Sequence, residues 1–126
     1  MAYPIQYNET DFITQLTEQL RRDNDWKVGK ESYGGIADLV IEDIHSGKRI
    51  FIEFRTAGQY GELPISSALV LDEQKKRLSE KDALFLVTFS GVSKTLGNKL
   101  KDLGIKVFAS PTVEDVVGNV QYAMSA

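Results

Sequence analysis

The stretch that decides the fold runs from Gly34 to Gly58 and reads GGIADLVIEDIHSGKRIFIEFRTAG. Two apolar runs, 37–44 and 49–56, flank His45-Ser46-Gly47-Lys48, which is the pattern of a β-hairpin. A turn centred on Ser46-Gly47 pairs Leu39 with Phe54 and Ile41 with Ile52. The bulky apolar residues of both strands then share one face, so turn and alternation agree. The other face carries Asp38, Val40 and Glu42 against Arg55, Glu53 and Phe51. In this register Asp38 stands directly across from Arg55, with Glu53 as its diagonal neighbour. Two carboxylates and a cation thus meet at the open end of the hairpin.

Outward from the hairpin, Phe12, Leu16 and Leu20 recur every fourth residue, which predicts an amphipathic helix over 8–22 with Asn8 as its cap. Trp26 and Val28 alternate with lysines in a half-buried strand to about Tyr33, and Gly34-Gly35 turns the chain. After a loose stretch to Pro64, a helix is expected over 66–79 with Val70, Leu71, Gln74 and Leu78 on one side. The unbroken apolar run 83–89 suits a strand buried on both faces. Leu96, Leu100 and Leu103 mark another helix, stopped by Gly104. A short strand over 105–109 leads to Ser110-Pro111, read as cap and first helical residue of a last helix carrying Val113, Val116, Val117 and Val120. The order is α-β-β-β-α-β-α-β-α. Its C-terminal half calls for parallel strands with right-handed crossovers and its N-terminal half for an antiparallel meander. An α/β fold with a mixed sheet and helices on both faces satisfies both, as one domain over 1–126.

Composition narrows the chemistry. The chain has 126 residues, 42% hydrophobic and 26% charged, with no cysteine and one histidine. Disulfides, thiolate metal sites and a cysteine nucleophile are excluded. So is a multi-histidine site, and a serine triad would have to use His45. A net charge of −3 gives no global field to attract nucleic acid, so any such binding must come from a local patch. No apolar run reaches the ~20 residues of a membrane span, and no secretory leader is visible, which points to the cytoplasm. Metal chemistry would have to be carboxylate chemistry. Magnesium suits that, since it takes one or two carboxylates and keeps waters and phosphate oxygens.

The element order α-β-β-β-α-β, with Asp38 on the second strand and Glu53-Phe54-Arg55 on the third, resembles the PD-(D/E)XK nucleases, the restriction-endonuclease-like superfamily. The likeness spans about residues 8 to 110. It implies a Mg²⁺- or Mn²⁺-dependent hydrolase of DNA phosphodiesters, acting as a homodimer. Asp38, Glu53 and the backbone carbonyl of Phe54 would be the metal ligands. Arg55 would contact the scissile phosphate, and Gln74 on the following helix would orient water or phosphate. Glu9, and less closely Glu18, stands where the family often has a glutamate on its first helix. One departure matters: Arg55 replaces the family's lysine, and arginine stays charged and cannot serve as a base. The alternative is an inactive relative that binds nucleic acid or assembles with a protein partner supplying recognition. Lys48 and Lys30 are the lysines that could stand in for the missing one.

The remaining features have plainer readings. Lys75-Lys76-Arg77, Lys94, Lys99 and Lys101 suit solvated helix faces, or else phosphate contacts. His45 belongs to a surface turn. Tyr60, in Gly58-Gln59-Tyr60-Gly61, could stack on a base from a loop beside Arg55. The valine-rich last helix fits a core position, or else a dimer surface, with core the better fit for a chain this small.

Overall fold

In the computed structural model, residues 9–32, 37–56 and 61–125 are described. Asn8, Gly34-Gly35 and Tyr60, and with them the expectations placed on them, lie outside this set. The elements are α1 (Glu9–Leu20), β1 (Trp26–Ser32), β2 (Ala37–Asp43), β3 (Arg49–Phe54), α2 (Ser67–Lys76), β4 (Ala83–Thr88), α3 (Lys94–Asp102), β5 (Lys106–Ala109) and α4 (Val113–Ser125). Their order is the one read from the sequence.

The strands form one sheet in the order β1-β2-β3-β4-β5. Pairing is antiparallel for β1 with β2 and for β2 with β3, and parallel from β3 through β4 to β5. Successive crossovers from β3 to β4 and from β4 to β5 step in one direction. With one hand they place α2 and α3 on the same face. There Val40, Phe51, Leu84 and Leu86 pack with Ala68, Leu71, Leu96 and Leu100. The other face, with Leu39, Ile41, Ile50, Ile52, Phe54, Phe85 and Val87, is sealed by α1 and α4 through Phe12, Leu16, Leu20, Val113, Val116 and Val120. The strands at the centre of the sheet are covered on both sides, which is why β4 is apolar from Ala83 to Val87.

Three local expectations are corrected. The helix expected over 66–79 is shorter, and Val70 is exposed rather than inward, beside the still more exposed Leu69. The inward positions are Ser67, Ala68 and Leu71. Second, Ser110 does not cap the last helix. Thr112 Oγ1 accepts from the Asp115 amide at 3.1 Å while Asp115 Oδ2 accepts from the Thr112 amide at 3.2 Å, a reciprocal box that starts α4 at Val113. Third, the β2–β3 register is displaced by two residues: Leu39 pairs with Ile52 and Ile41 with Ile50.

The cause of the displacement is the turn. Asp43 Oδ1 accepts from the amides of His45 and Ser46, and the amides of Asp43 and Gly47 donate to the carbonyls of Lys48 and Asp43. Asp43 and Lys48 therefore close the hairpin, with Gly47 at φ +74° supplying the left-handed residue. A shift of two preserves every side chain's face, since the strand period is two. It changes who stands opposite whom.

Candidate active site at the fork between β2 and β3

The site is built where two strands part. The β2–β3 ladder ends at Leu39–Ile52, although both strands continue; β2 stays with β1 as far as Ala37, and β3 stays with β4 as far as Phe54. A backbone donor left in such a gap needs a partner. The Phe54 amide finds it in Asp38, whose Oδ2 accepts at 2.8 Å. The observed register, carried one step past the ladder, sets Asp38 opposite Glu53. The expected Asp38–Arg55 pair does not form. The Arg55 amide instead bonds the Val87 carbonyl on β4. Backbone groups alternate sides along a strand, so the Phe54 carbonyl turns toward the fork beside Asp38.

Glu53 is the centre of the cluster. Only 9% of it is exposed. Gln74 Nε2, from α2, donates to its Oε2 at 2.7 Å, and Arg55 Nη2 lies 3.4 Å from the same oxygen. Burial first, then a hydrogen bond shared with the Asp38 side chain, pushes the Glu53 carboxyl up to about 7; the Gln74 and Arg55 donors offset only part of this. Two carboxylates held together resist ionising together. The guanidinium of Arg55 is about one-third exposed, and its Nε is buried with no hydrogen-bond partner among the described residues. Phe12, edge-on to Phe54 and Phe89 at 6.2 and 5.0 Å between centroids, braces this end of the sheet from the opposite face.

The structure thus brings Asp38, Glu53, Arg55 and Gln74 to one place and leaves other candidates out. Lys48 Nζ donates to the Ala123 carbonyl at 2.9 Å, at the last turn of α4, so it is no substitute at the site. The Lys30 and Glu9 side chains fall outside the described set, and Glu18 is an exposed residue of α1. Lys76 pairs with Asp72 and Glu73 on its own helix, as a solvated face does.

A charged pair that sequence reading missed is Arg49 with Asp82. Arg49 Nε and Nη2 bond the two oxygens of Asp82 at 3.1 and 2.8 Å. The Asp82 side chain is 1% exposed. Burial pushes its carboxyl up, but Arg49 and the Ser79 amide outweigh that and hold it below the usual range. The signal was present, since both residues sit at the entrance of neighbouring strands.

Among the described residues no group of three or more histidine, cysteine, aspartate and glutamate side chains comes together to cage a metal. The fork offers two carboxylates and one inward-turned carbonyl. That all-oxygen set fits magnesium, which needs few protein ligands.

No family model matches the chain, and no curated protein matches it. Solved structures do. A repair endonuclease from Pyrococcus abyssi superposes with a TM-score of 0.53 at 18% identity over 87% of this chain and 50% of that one. A protein of unknown function gives 0.51 at 17% identity over 88% of this chain and 66% of the other. The structure of an EndoMS–double-stranded DNA complex gives 0.48 at 18% identity over 89% of this chain and 48% of that one. The chain spans half the length of the Pyrococcus abyssi endonuclease. The first two of these likenesses bear on the fold alone: α/β, with a mixed five-stranded sheet and helices on both faces. No helix of the described residues is long and apolar enough to cross a membrane.

Proposed function

We propose that this chain is a divergent Mg²⁺-dependent nuclease that hydrolyses DNA phosphodiesters, working as a homodimer. The observation that carries the reading is the convergence at the fork. Asp38 and the buried Glu53 are held together, with a cation and an amide both directed at one Glu53 oxygen. The likeness in fold to a repair endonuclease agrees with it.

In this reading Asp38, Glu53 and the Phe54 carbonyl would hold the ion. When bound, Mg²⁺ would polarise the phosphodiester and lower the pKa of the attacking water. The Phe54 amide fixes the Asp38 carboxylate, so its position follows from the backbone rather than from a free rotamer. Gln74 fixes Glu53 in the same way from α2. Arg55 keeps its charge at every relevant pH. Its buried Nε and its exposed edge suit it to an oxygen of the scissile phosphate, where it would offset charge as the bond breaks. It takes no proton from water.

The alternative, an inactive module that binds nucleic acid or a protein partner, follows from Arg55 in place of the family's lysine and from the acidic balance, and it would give Arg55 the role of cross-strand mate to Asp38. The observed register removes that pairing. A cleavage assay on plasmid and single-stranded DNA with Mg²⁺ or Mn²⁺, beside Asp38→Asn and Glu53→Gln, tests the proposal. Metal-dependent cleavage lost in both variants is expected. Cleavage that persists in both would place the chemistry elsewhere.

A further inference from the structure

Glycine weakens the middle of a strand, and Gly29 stands at the midpoint of β1. The usual structural reasons for it are missing. Its φ lies outside the left-handed region, and a Cβ built on it would meet no atom within 4 Å. The register runs unbroken through it, Val28 with Ile41, Gly29 with Val40 and Lys30 with Leu39, so there is no bulge. What remains is the close approach of something outside the chain.

A depression of about 120 Å³ lies there, lined by Lys27, Val28, Gly29, Val40 and Glu42. The core under α2 and α3 reaches β2 at Ala37 and Val40 and takes no described residue from β1, so the helical cover stops beside it. Cross-strand partners share a face, which puts Gly29 and Val40 on the face of the exposed Asp38. Val40 is two residues from Asp38, about 7 Å along the strand. The depression therefore opens next to the fork. Its rim carries a donor and an acceptor, because Lys27 and Glu42 stand opposite each other. Among the described residues neither is held in an ion pair or a side-chain hydrogen bond. Arg49, the partner of Glu42 on its other side, is committed to Asp82.

We propose that this depression seats a single unpaired cytosine, the base of the nucleotide next to the phosphodiester held at the fork. The rim selects the occupant. A phosphate would meet Lys27 but also the like charge of Glu42, whereas a base uses both groups. Cytosine would lay its flat face on Gly29 and Val40, donate its exocyclic amine to Glu42 and accept from Lys27 at the ring. The volume equals about four liquid waters, which suits one pyrimidine ring. Thymine carries a carbonyl in place of the amine and would turn an acceptor toward Glu42. A paired base has these edge groups occupied, so the strand must be single or the base extruded. The assignment rests on the nuclease reading for the strand it serves, and adds to it a preference for unpaired DNA with cytosine beside the cut.

The test is fluorescence anisotropy with labelled oligo-dC and oligo-dT in EDTA, where nothing is cut, on the parent, Gly29→Val and Glu42→Gln. Thermal melting checks the fold of each. The parent is expected to bind oligo-dC about tenfold more tightly than oligo-dT. Gly29→Val should bring oligo-dC down to the oligo-dT level while melting at or above the parent, because valine enters open space and suits a strand. Glu42→Gln removes a negative charge for both oligonucleotides alike, so the ratio is what counts. It should fall to about one, since an amide offers donor and acceptor together. Equal binding of the two oligonucleotides by the parent overturns the assignment, as does a preference that survives either substitution. A cytosine preference without cleavage by the parent would sink the fork chemistry and leave this seat standing; metal-dependent cleavage without the preference would do the reverse.

Discussion

Glu53 offers the sharpest quantitative test, because its ionisation is coupled to folding. Its carboxyl moves from an ordinary 4.5 to about 7 in the folded chain, chiefly by burial and then by the neighbouring Asp38. Below about pH 4.5 both folded and unfolded chains hold the proton, and Glu53 costs nothing. Between 4.5 and about 7 the unfolded chain releases it while the folded chain retains it, so stability falls as pH rises. Above about 7 the full cost applies. At about 1.4 kcal/mol per pH unit, this is about 3 kcal/mol. Glu53→Gln cannot ionise, yet its amide can accept from Gln74 and donate to Asp38, imitating the protonated acid. Urea unfolding of both proteins across this range isolates the Glu53–Asp38 pair, because groups remote from it titrate equally in each. The variant should overtake the parent by about 3 kcal/mol between the acid and alkaline limits. Mg²⁺ at alkaline pH should then restore the parent but not the variant, since a bound ion takes the proton's place. Parallel curves for the two proteins would refute the claim that Glu53 is buried against Asp38.

Arg55→Ala is expected to lower cleavage about a hundredfold or more in a plasmid-nicking assay, and to raise the Glu53 midpoint further by removing a cation beside it. Arg55→Lys should keep most of the activity. At the other end of the sheet, Arg49→Ala strands a buried carboxylate and should cost about 3 kcal/mol by urea unfolding at neutral pH, while an Arg49→Met, Asp82→Leu double variant recovers much of the loss. His45, hydrogen-bonded to Asp25 at 2.9 Å, should titrate above 6.5 by NMR and fall back in Asp25→Asn. Its contribution to stability is present below the unfolded value and lost as pH rises through the folded one.

The element order and both faces of the hairpin were legible in the sequence because they depend on period, and period survives local error. Leu39, Ile41, Ile52 and Phe54 lie on the α1–α4 side, and Asp38, Glu53 and Arg55 belong to the other, as alternation requires. Val70 was misread for a related reason. A helix that packs with only part of its length leaves residues outward that a longer apolar stripe would bury, and chain periodicity does not say where a neighbouring helix stops. Arg49 and Asp82 were invisible singly, because a buried charge is recognised by its partner, and their partnership depends on parallel register.

The register itself shows what separates a fold prediction from a site prediction. Centring the turn on Ser46-Gly47 treats glycine as the signal, but Asp43 does more: its carboxylate accepts from two turn amides and closes the hairpin at Asp43–Lys48, which moves the turn's centre one residue toward the N-terminus. The shift leaves the core unchanged, so hydrophobic pattern could not have detected it. At the site it changes everything of chemical interest. It takes Asp38 away from Arg55, places it opposite Glu53, and turns a solvated cross-strand ion pair into two carboxylates crowded at a fork. A neutral ladder would have been content without metal, whereas two acids that share a proton create a demand for positive charge. Arg55 meets that demand in part, from 3.4 Å. The remainder is what a divalent ion would supply, and it is the physical reason to look for one here.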